Sequence, residues 1–390
     1  MSIIKPLLLI SLLSLSLNAK GLNLWHAYRG KERKALEKVI KNYTKETGIN
    51  VRMLAIPYDA FSKKLTASIP RGAGPDVFIF ANDKIGQWVE SNLLESLDYY
   101  FSNRGRFILN FFFKTTVDAL VYKDSLYALP IAFKVPLLYY NKKFIDTPPK
   151  TFEELISISK LKMRENKNVI GLGYENTNYF FHSFLYFGFG AKLFNDKREV
   201  FIDSDESLKS FKYAKKLALE DKIMPQEITS AVITTLFNKN QLLFVINGPW
   251  FAGEISKDIE YGVTAIPTIN NKEMKPYISI EGIFMNRYSK KKIDALNLIK
   301  YIAGKEGSPI RLKEGKQSVA VKSLYENSDN ETLKSFKKQA DLATPISNDP
   351  IMAYFWAPLS QALKKVIEQN VKPEVALRDA KKKIEKLLKK

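Results

Sequence analysis

LNLWH at residues 22–26, NVRMLAI at 50–56 and VFIF at 77–80 are three short apolar runs, and a stretch of helical character separates each from the next. In the first interval Leu36, Val39, Ile40 and Tyr43 recur at spacings of three and four, and Gly48 is the kind of residue that closes a helix. The second interval, YDAFSKKLTAS at 58–68, predicts another helix, after which Gly72, Gly74 and Pro75 lead into the third run. Strand, helix, strand, helix, strand is by default a right-handed parallel α/β arrangement. Ligands of such sheets meet the carboxyl ends of the strands, so residues 27–30 and 81–84 are the first places to look for a site.

Further along, residues 128–140 form an apolar and aromatic stretch interrupted by Lys134 and Pro136, which reads as a strand crossing between lobes. A second lobe begins near residue 136, with helical patterns at 152–161, 181–187 and 207–219 and a strand at 241–246 before the turn Asn247-Gly248-Pro249. A strand at 278–286 precedes a helix at 293–303. From Pro373 a basic amphipathic helix places Leu377, Ala380, Ile384 and Leu387 on one face. With no repeat and no low-complexity linker, two lobes imply a hinged cleft rather than beads on a string.

The composition narrows the chemistry. No residue is cysteine and only His26 and His182 are histidines, which excludes disulfide scaffolds, iron–sulfur clusters and thiol nucleophiles and leaves little room for a metal centre. Lys5 followed by the apolar run 6–17 and Asn18-Ala19-Lys20 reads as a secretory signal spanning residues 1–19, too short to cross a bilayer. Without a cysteine after that run a lipid anchor is not expected, so the mature chain is expected to be exported, soluble and periplasmic. The 61 Lys and Arg against 41 Asp and Glu leave a net charge of +20, spread over nearly every predicted helix, as at Lys31 to Lys41 and Lys381 to Lys390. Solvated helix faces explain most of it. Export argues against a nucleic-acid partner, while adhesion to an envelope surface stays open.

No G-x-S-x-G elbow and no phosphate-binding glycine loop is present, and Gly171-Leu-Gly173 and Gly188-Phe-Gly190 lack the rest of a dinucleotide fingerprint. Asp203, Asp205 and Glu206 fit a helix N-terminus better than a calcium loop. The aromatic residues say more: 25 Phe, 19 Tyr and 4 Trp exceed what packing usually collects. Phe80 beside Asn82-Asp83-Lys84, Tyr179-Phe180 after Asn176, Trp250 after Gly248-Pro249 and Trp356 after Asp349-Pro350 stand at the ends of elements. Such rings stack on the C–H faces of a pyranose while Asp, Asn and Lys bond its hydroxyls; each ring singly is as readily a packing residue.

Several segments together resemble the maltose/maltodextrin-binding proteins of bacterial ABC importers, within the family 1 extracellular solute-binding proteins. They are Gly74-Pro75-Asp76 with Phe80 to Lys84, Leu129-Pro130-Ile131-Ala132, Tyr140-Asn141-Lys142, Pro148 to Glu154, Ile246 to Trp250, Tyr261-Gly262-Val263 with Ile266-Pro267-Thr268, and Tyr354-Phe355-Trp356. Their order and spacing extend the resemblance over essentially the whole mature chain. It implies an α/β, two-lobed periplasmic-binding-protein fold of type II, each lobe a mixed, mainly parallel sheet flanked by helices, with a hinged interlobe cleft. The chain would cross the hinge near Lys134, near Ser279 to Phe284 and around residues 330–337, giving an N-terminal lobe of 20–133 plus 285–330 and a C-terminal lobe of 134–284 plus 331–390.

The same resemblance implies an exported, non-enzymatic, monomeric substrate-binding subunit without a cofactor, which closes on an oligosaccharide and hands it to a membrane permease with its ATPase, and which in some systems also docks on a chemoreceptor. Carried over by position, Phe80, Trp250, Trp356 and Tyr179 with Phe180 are aromatic platforms, Asp83 and Lys84 a hydroxyl-binding pair, and Arg29 a contact to the first sugar. Glu281, near the second crossing, is either a cleft residue or a hinge-surface acid. Two family glutamates are missing: Lys134 stands at one position and Thr177-Asn178 at the other. Arg29, Lys84 and Lys134 together would make the pocket cationic and favour an acidic saccharide or another anionic solute; the alternative for Lys134 is that its ammonium snorkels into water. An envelope glycoside-active enzyme with Asp83 and Glu281 as paired carboxylates is the competing reading.

Overall fold

The computed structural model describes residues 21–101, 108–326 and 330–389; the signal-peptide reading of 1–19 lies outside the described residues. The chain opens with β1 (Gly21–His26), α1 (Gly30–Thr47), β2 (Asn50–Ala55), α2 (Tyr58–Ser68) and β3 (Val77–Ala81). Gly48 adopts φ 71° and returns its N–H to Thr44, so a glycine closes α1 as the sequence pattern requires. Three short helices, α3 (Ile85–Glu90), α4 (Asp98–Phe101) and α5 (Lys114–Asp118), and the hairpin β4 (Val121–Tyr122) and β5 (Ser125–Leu126) lead to β6 (Ala128–Lys134).

Val135 and Pro136 then carry the chain into a second sheet, beginning with β7 (Leu137–Asn141). There follow α6 (Phe152–Glu165), β8 (Ile170–Gly173), α7 (Tyr179–Gly188), α8 (Asp205–Lys215), α9 (Ser230–Asn238), β9 (Leu242–Asn247) and β10 (Tyr261–Thr264). The chain returns through β11 (Tyr277–Met285), α10 (Lys292–Ala303), α11 (Gly307–Lys313) and α12 (Ser323–Glu326). It ends with α13 (Glu331–Leu342), β12 (Thr344–Pro345), α14 (Trp356–Ile367) and α15 (Pro373–Leu388).

In the first sheet β2, β1 and β3 are parallel, and β11 runs antiparallel between β3 and β6, with β12 beside its first residues. The second sheet has the order β10-β7-β9-β8, and only β8 and β9 are parallel. Both sheets are mixed, but the second is not mainly parallel. Parallel neighbours need a crossover, usually helical: α7, α8 and α9 carry the chain from β8 to the parallel β9, whereas β7 pairs antiparallel with both β9 and β10. All of residues 277–285 is strand of the first sheet, with Tyr277 in one core and Ile278 in the other.

Alternation along β7 sends Leu137 and Tyr139 into one core and Leu138 and Tyr140 into the other. On the first side α9 and α13 cover the sheet; on the second α6 lies along β8, with α7, α8, α14 and α15 stacked beyond. Local sequence sets these helices. Thr151 caps α6 by accepting from the Glu154 N–H at 3.1 Å, and Asn178 caps α7 by accepting from the Phe180 N–H at 3.0 Å. Ser204 caps α8 with Asp205 and Glu206 in its first turn, the arrangement expected of that acidic cluster.

Candidate functional site

Because β1, β2 and β3 are parallel, with His26 opposite Ala55, their carboxyl ends share one sheet edge. Arg29 follows β1, Tyr58 follows β2, and Asp83 and Lys84 follow β3. Strand β11 is antiparallel to β3 and pairs Glu281 with Ala81, which brings its beginning to the same edge, and Ser279 pairs with Lys134 at the end of β6. A register shift between Glu281 and Gly282 bends the strand where the carboxylate projects. Through β3, strand pairing brings Tyr28, just after β1, to Glu281, 253 residues further along the chain.

Glu281 is buried, with 9% of its side chain exposed, and lies 2.9 Å from Lys134 Nζ; Lys134 keeps 34% of its side chain accessible. The Tyr28 hydroxyl donates to the other carboxylate oxygen at 2.8 Å. Glu281 holds the Lys134 ammonium above its usual range, and burial, then the Glu281 charge, pushes the Tyr28 phenol well up. Gln317 donates to Glu32 at 3.4 Å, and burial followed by repulsion from Glu281 raises the Glu32 carboxyl. Arg311, fully buried, donates to the carbonyls of Ile131 at 2.8 Å and Ile302 at 3.2 Å and to Ser308 at 3.1 Å, and burial lowers its pKa. Two acids and two bases therefore balance one another around Tyr28. Glu281 is not a hinge-surface acid, and Lys134 neither snorkels alone nor adds a surplus charge.

Asp83 and Lys84 form a pair at 3.3 Å in one tight turn, and the other Asp83 oxygen, Oδ1, is buried with no protein partner. Such an acceptor can take a hydroxyl donor. Arg29 is exposed at the start of α1.

Phe80 departs from expectation: it is 4% exposed and sandwiched by Tyr58 at 4.6 Å and Phe61 at 4.7 Å, with Trp88 at 5.6 Å. It stands one residue before the end of β3, under α2, so its ring packs between layers. Tyr58, half exposed at the start of α2, is the outer ring of that stack. Its place directly after a parallel strand is the sequence signal that marks Tyr58, which is not among the rings singled out from composition and resemblance.

In the second lobe Tyr179 is fully buried and is not a platform. Its backbone N–H is given to Ser360 Oγ at 3.1 Å, which ties the first turn of α7 to α14, and its ring meets Tyr186 edge-on at 5.4 Å. Tyr179 and Phe180 are the first two residues of that helix. Phe180 is partly exposed, 6.5 Å from both Trp250 and Tyr277, and Trp356 is partly exposed 5.5 Å from Tyr277. Trp250 is 38% exposed and its ring lies over Gly248, where a Cβ would come within 2.1 Å of it. Tyr277, the buried centre of this wall, is the first residue of β11, four positions before Glu281 and so about 13 Å away. The ring wall is centred on the first residue of β11, and the charged groups gather around Glu281 further along the same strand.

The model of the family described as bacterial extracellular solute-binding protein matches residues 29–309. The galactooligosaccharide-binding protein of Bacillus subtilis (strain 168) is 26% identical, over 88% of this chain and 84% of its own. The maltooligosaccharide ABC transporter solute-binding lipoprotein of Streptococcus pneumoniae (strain ATCC BAA-255 / R6) is 24% identical, over 88% of this chain and 84% of its own. Among solved structures, a cyclo/maltodextrin-binding protein complexed with maltotetraose superposes with a TM-score of 0.86 at 28% identity, covering 95% of this chain and 97% of that one.

Proposed function

Since this chain belongs to the bacterial extracellular solute-binding proteins, we propose that it is the exported substrate-binding subunit of an ABC importer, capturing a neutral oligosaccharide of the maltodextrin type between its lobes. The observation that carries this reading is the convergence of the β1, β2 and β3 loops on the first half of β11, with partly exposed aromatic rings around its first residue, Tyr277, and hydrogen-bonding groups around Glu281. Trp250, Phe180, Trp356 and Tyr58 serve as stacking faces. Asp83, with one oxygen lacking a protein partner, and Lys84, Arg29, Lys134 and Glu281 bond sugar hydroxyls. The lobes divide as 20–133 with the segment from β11 to residue 330, and the remainder, so that β11 is the principal hinge strand. Ligand bridging both sides selects the closed form, and a membrane permease with its ATPase accepts the sugar from a monomer.

A neutral guest is favoured over an acidic one because Lys84 and Lys134 each already face a carboxylate of the chain. Turnover is disfavoured because both oxygens of Glu281 are engaged, by Lys134 and by Tyr28, which leaves no free partner for Asp83. Related proteins carry names pointing to both galacto- and maltooligosaccharides, so linkage is the property to test. Calorimetric titration with maltotriose, maltotetraose, a galactooligosaccharide and a uronic-acid oligosaccharide should show heat with the first two and none with the last. Trp250→Ala should weaken the productive ligand at least about tenfold, as expected for a lost stacking face. Recovery of the bound sugar unaltered after prolonged incubation supports capture without catalysis. Silence toward every saccharide would overturn the sugar assignment.

A further inference from the structure

Helix α15 is fastened to the molecule by Ala376, Leu377, Ala380 and Ile384, all buried. At about 100° per residue, Val375, Arg378, Lys382, Lys386 and Lys389 fall within an arc of about 80° on the opposite side. All five are exposed. The four cations advance over about 16 Å of helix, in line and without an acid between them. The acids that would soften the stripe are engaged elsewhere, Glu374 by Lys212 at 2.7 Å and Asp379 by Lys365 at 2.7 Å, and only Glu385 stands on the flank. None of the four cations has an ion pair within 4.0 Å among the described residues. An ordinary solvated face interleaves its signs, as α13 does with Lys334 on Glu331 and Lys337 on Asp341.

We propose that this stripe docks on anionic phospholipid headgroups, holding the protein at a membrane surface. The chemistry favours lipid over other polyanions. A convex helix carrying mostly lysine presents point charges to a flat layer of phosphodiesters, and it offers neither the groove nor the amide and stacked-ring donors that base recognition uses. Exposed Val375 at the head of the stripe can dip toward the acyl boundary. None of the 390 residues is a cysteine able to carry a lipid, and no helix among the described residues is long and apolar enough to cross a membrane.

The test is co-sedimentation of the full mature chain with vesicles of phosphatidylglycerol in phosphatidylethanolamine, and with phosphatidylcholine alone. Each cation close to an anionic surface strengthens binding by roughly fivefold. The variant Arg378→Gln/Lys382→Gln/Lys386→Gln/Lys389→Gln should therefore lose at least about tenfold, and binding of the parent should vanish at high salt. A variant removing equal charge from scattered exposed positions, Lys167→Gln/Lys239→Gln/Lys257→Gln/Lys290→Gln, should lose far less. Equal loss in both variants, equal binding to phosphatidylcholine, or capture by soluble polyphosphate with none by vesicles would each overturn the proposal. An unchanged melting temperature in the stripe variant keeps the result independent of folding, and its titration with maltodextrin keeps it independent of the sugar reading.

Discussion

Glu281 answers two donors at once, an ammonium on one oxygen and a phenol on the other, and this makes it the residue whose loss the molecule should feel most. Glu281→Gln leaves Lys134 and Arg311 short of a counter-charge; we expect a loss of about 2 kcal/mol in urea unfolding, below the figure for a wholly buried pair because Lys134 reaches water. Combining it with Lys134→Met should restore much of that stability, and a double-mutant cycle reads the coupling. The two histidines predict acid lability. Burial, followed by the nearby Arg33 charge, lowers His26 to about 4, and burial alone lowers His182 to about 3. Both stay neutral in the folded chain at pH values where the unfolded chain, with an ordinary pKa of 6.5, takes up protons. Stability is therefore full above pH 6.5 and is lost as the pH falls toward 4, by on the order of 3 kcal/mol per histidine; Glu32, raised, opposes part of the loss. His26 Nδ1 accepts the Tyr28 N–H at 3.1 Å, so His26→Asn, which keeps an acceptor there but cannot titrate, should flatten the melting-temperature profile over that window.

At the scale of elements, the turn after β3 is locked to the segment between β12 and α14. Asn82 is fully buried and accepts the Ile280 N–H at 3.0 Å while donating to the Ile346 carbonyl at 3.1 Å and Asn348 Oδ1 at 3.1 Å. It therefore joins β3, β11 and the return from β12 in one junction. Gly86, in the first turn of α3, meets that same segment: a Cβ there would lie 2.3 Å from the Asn348 carbonyl oxygen and 2.8 Å from Pro350. A backbone carbonyl held by its neighbours cannot retreat cheaply. Gly86→Ala should cost about 2–3 kcal/mol by denaturant unfolding, whereas alanine at Gly253, where a Cβ meets nothing within 4 Å, should be close to neutral. Neither closeness was legible locally, because Gly86 and Pro350 are separated by most of the chain.

For the molecule as a whole, two cores share one continuous strand, and a guest that touches both sides is coupled to their relative position. Ligand at a hundred times its dissociation constant should add about 2.7 kcal/mol to stability, raise the melting temperature and shrink the radius of gyration in X-ray scattering; a stabilised but unshrunken complex would place the sugar on one lobe alone. The succession of strands and helices and the α/β class were legible in the sequence, since periods of two and 3.6 residues and glycine stops are local properties of a chain. So was the family. Which rings face water was not: Phe80 and Tyr179 are as aromatic, and as near the ends of elements, as Tyr58 and Trp250, yet the first two are packed away and the last two are exposed. Nor could the sequence show that Lys134 faces Glu281. Burial and charge pairing depend on what a distant segment lays over a side chain, Phe61 over Phe80 and α14 against Tyr179, and only the folded arrangement of both sheets decides that.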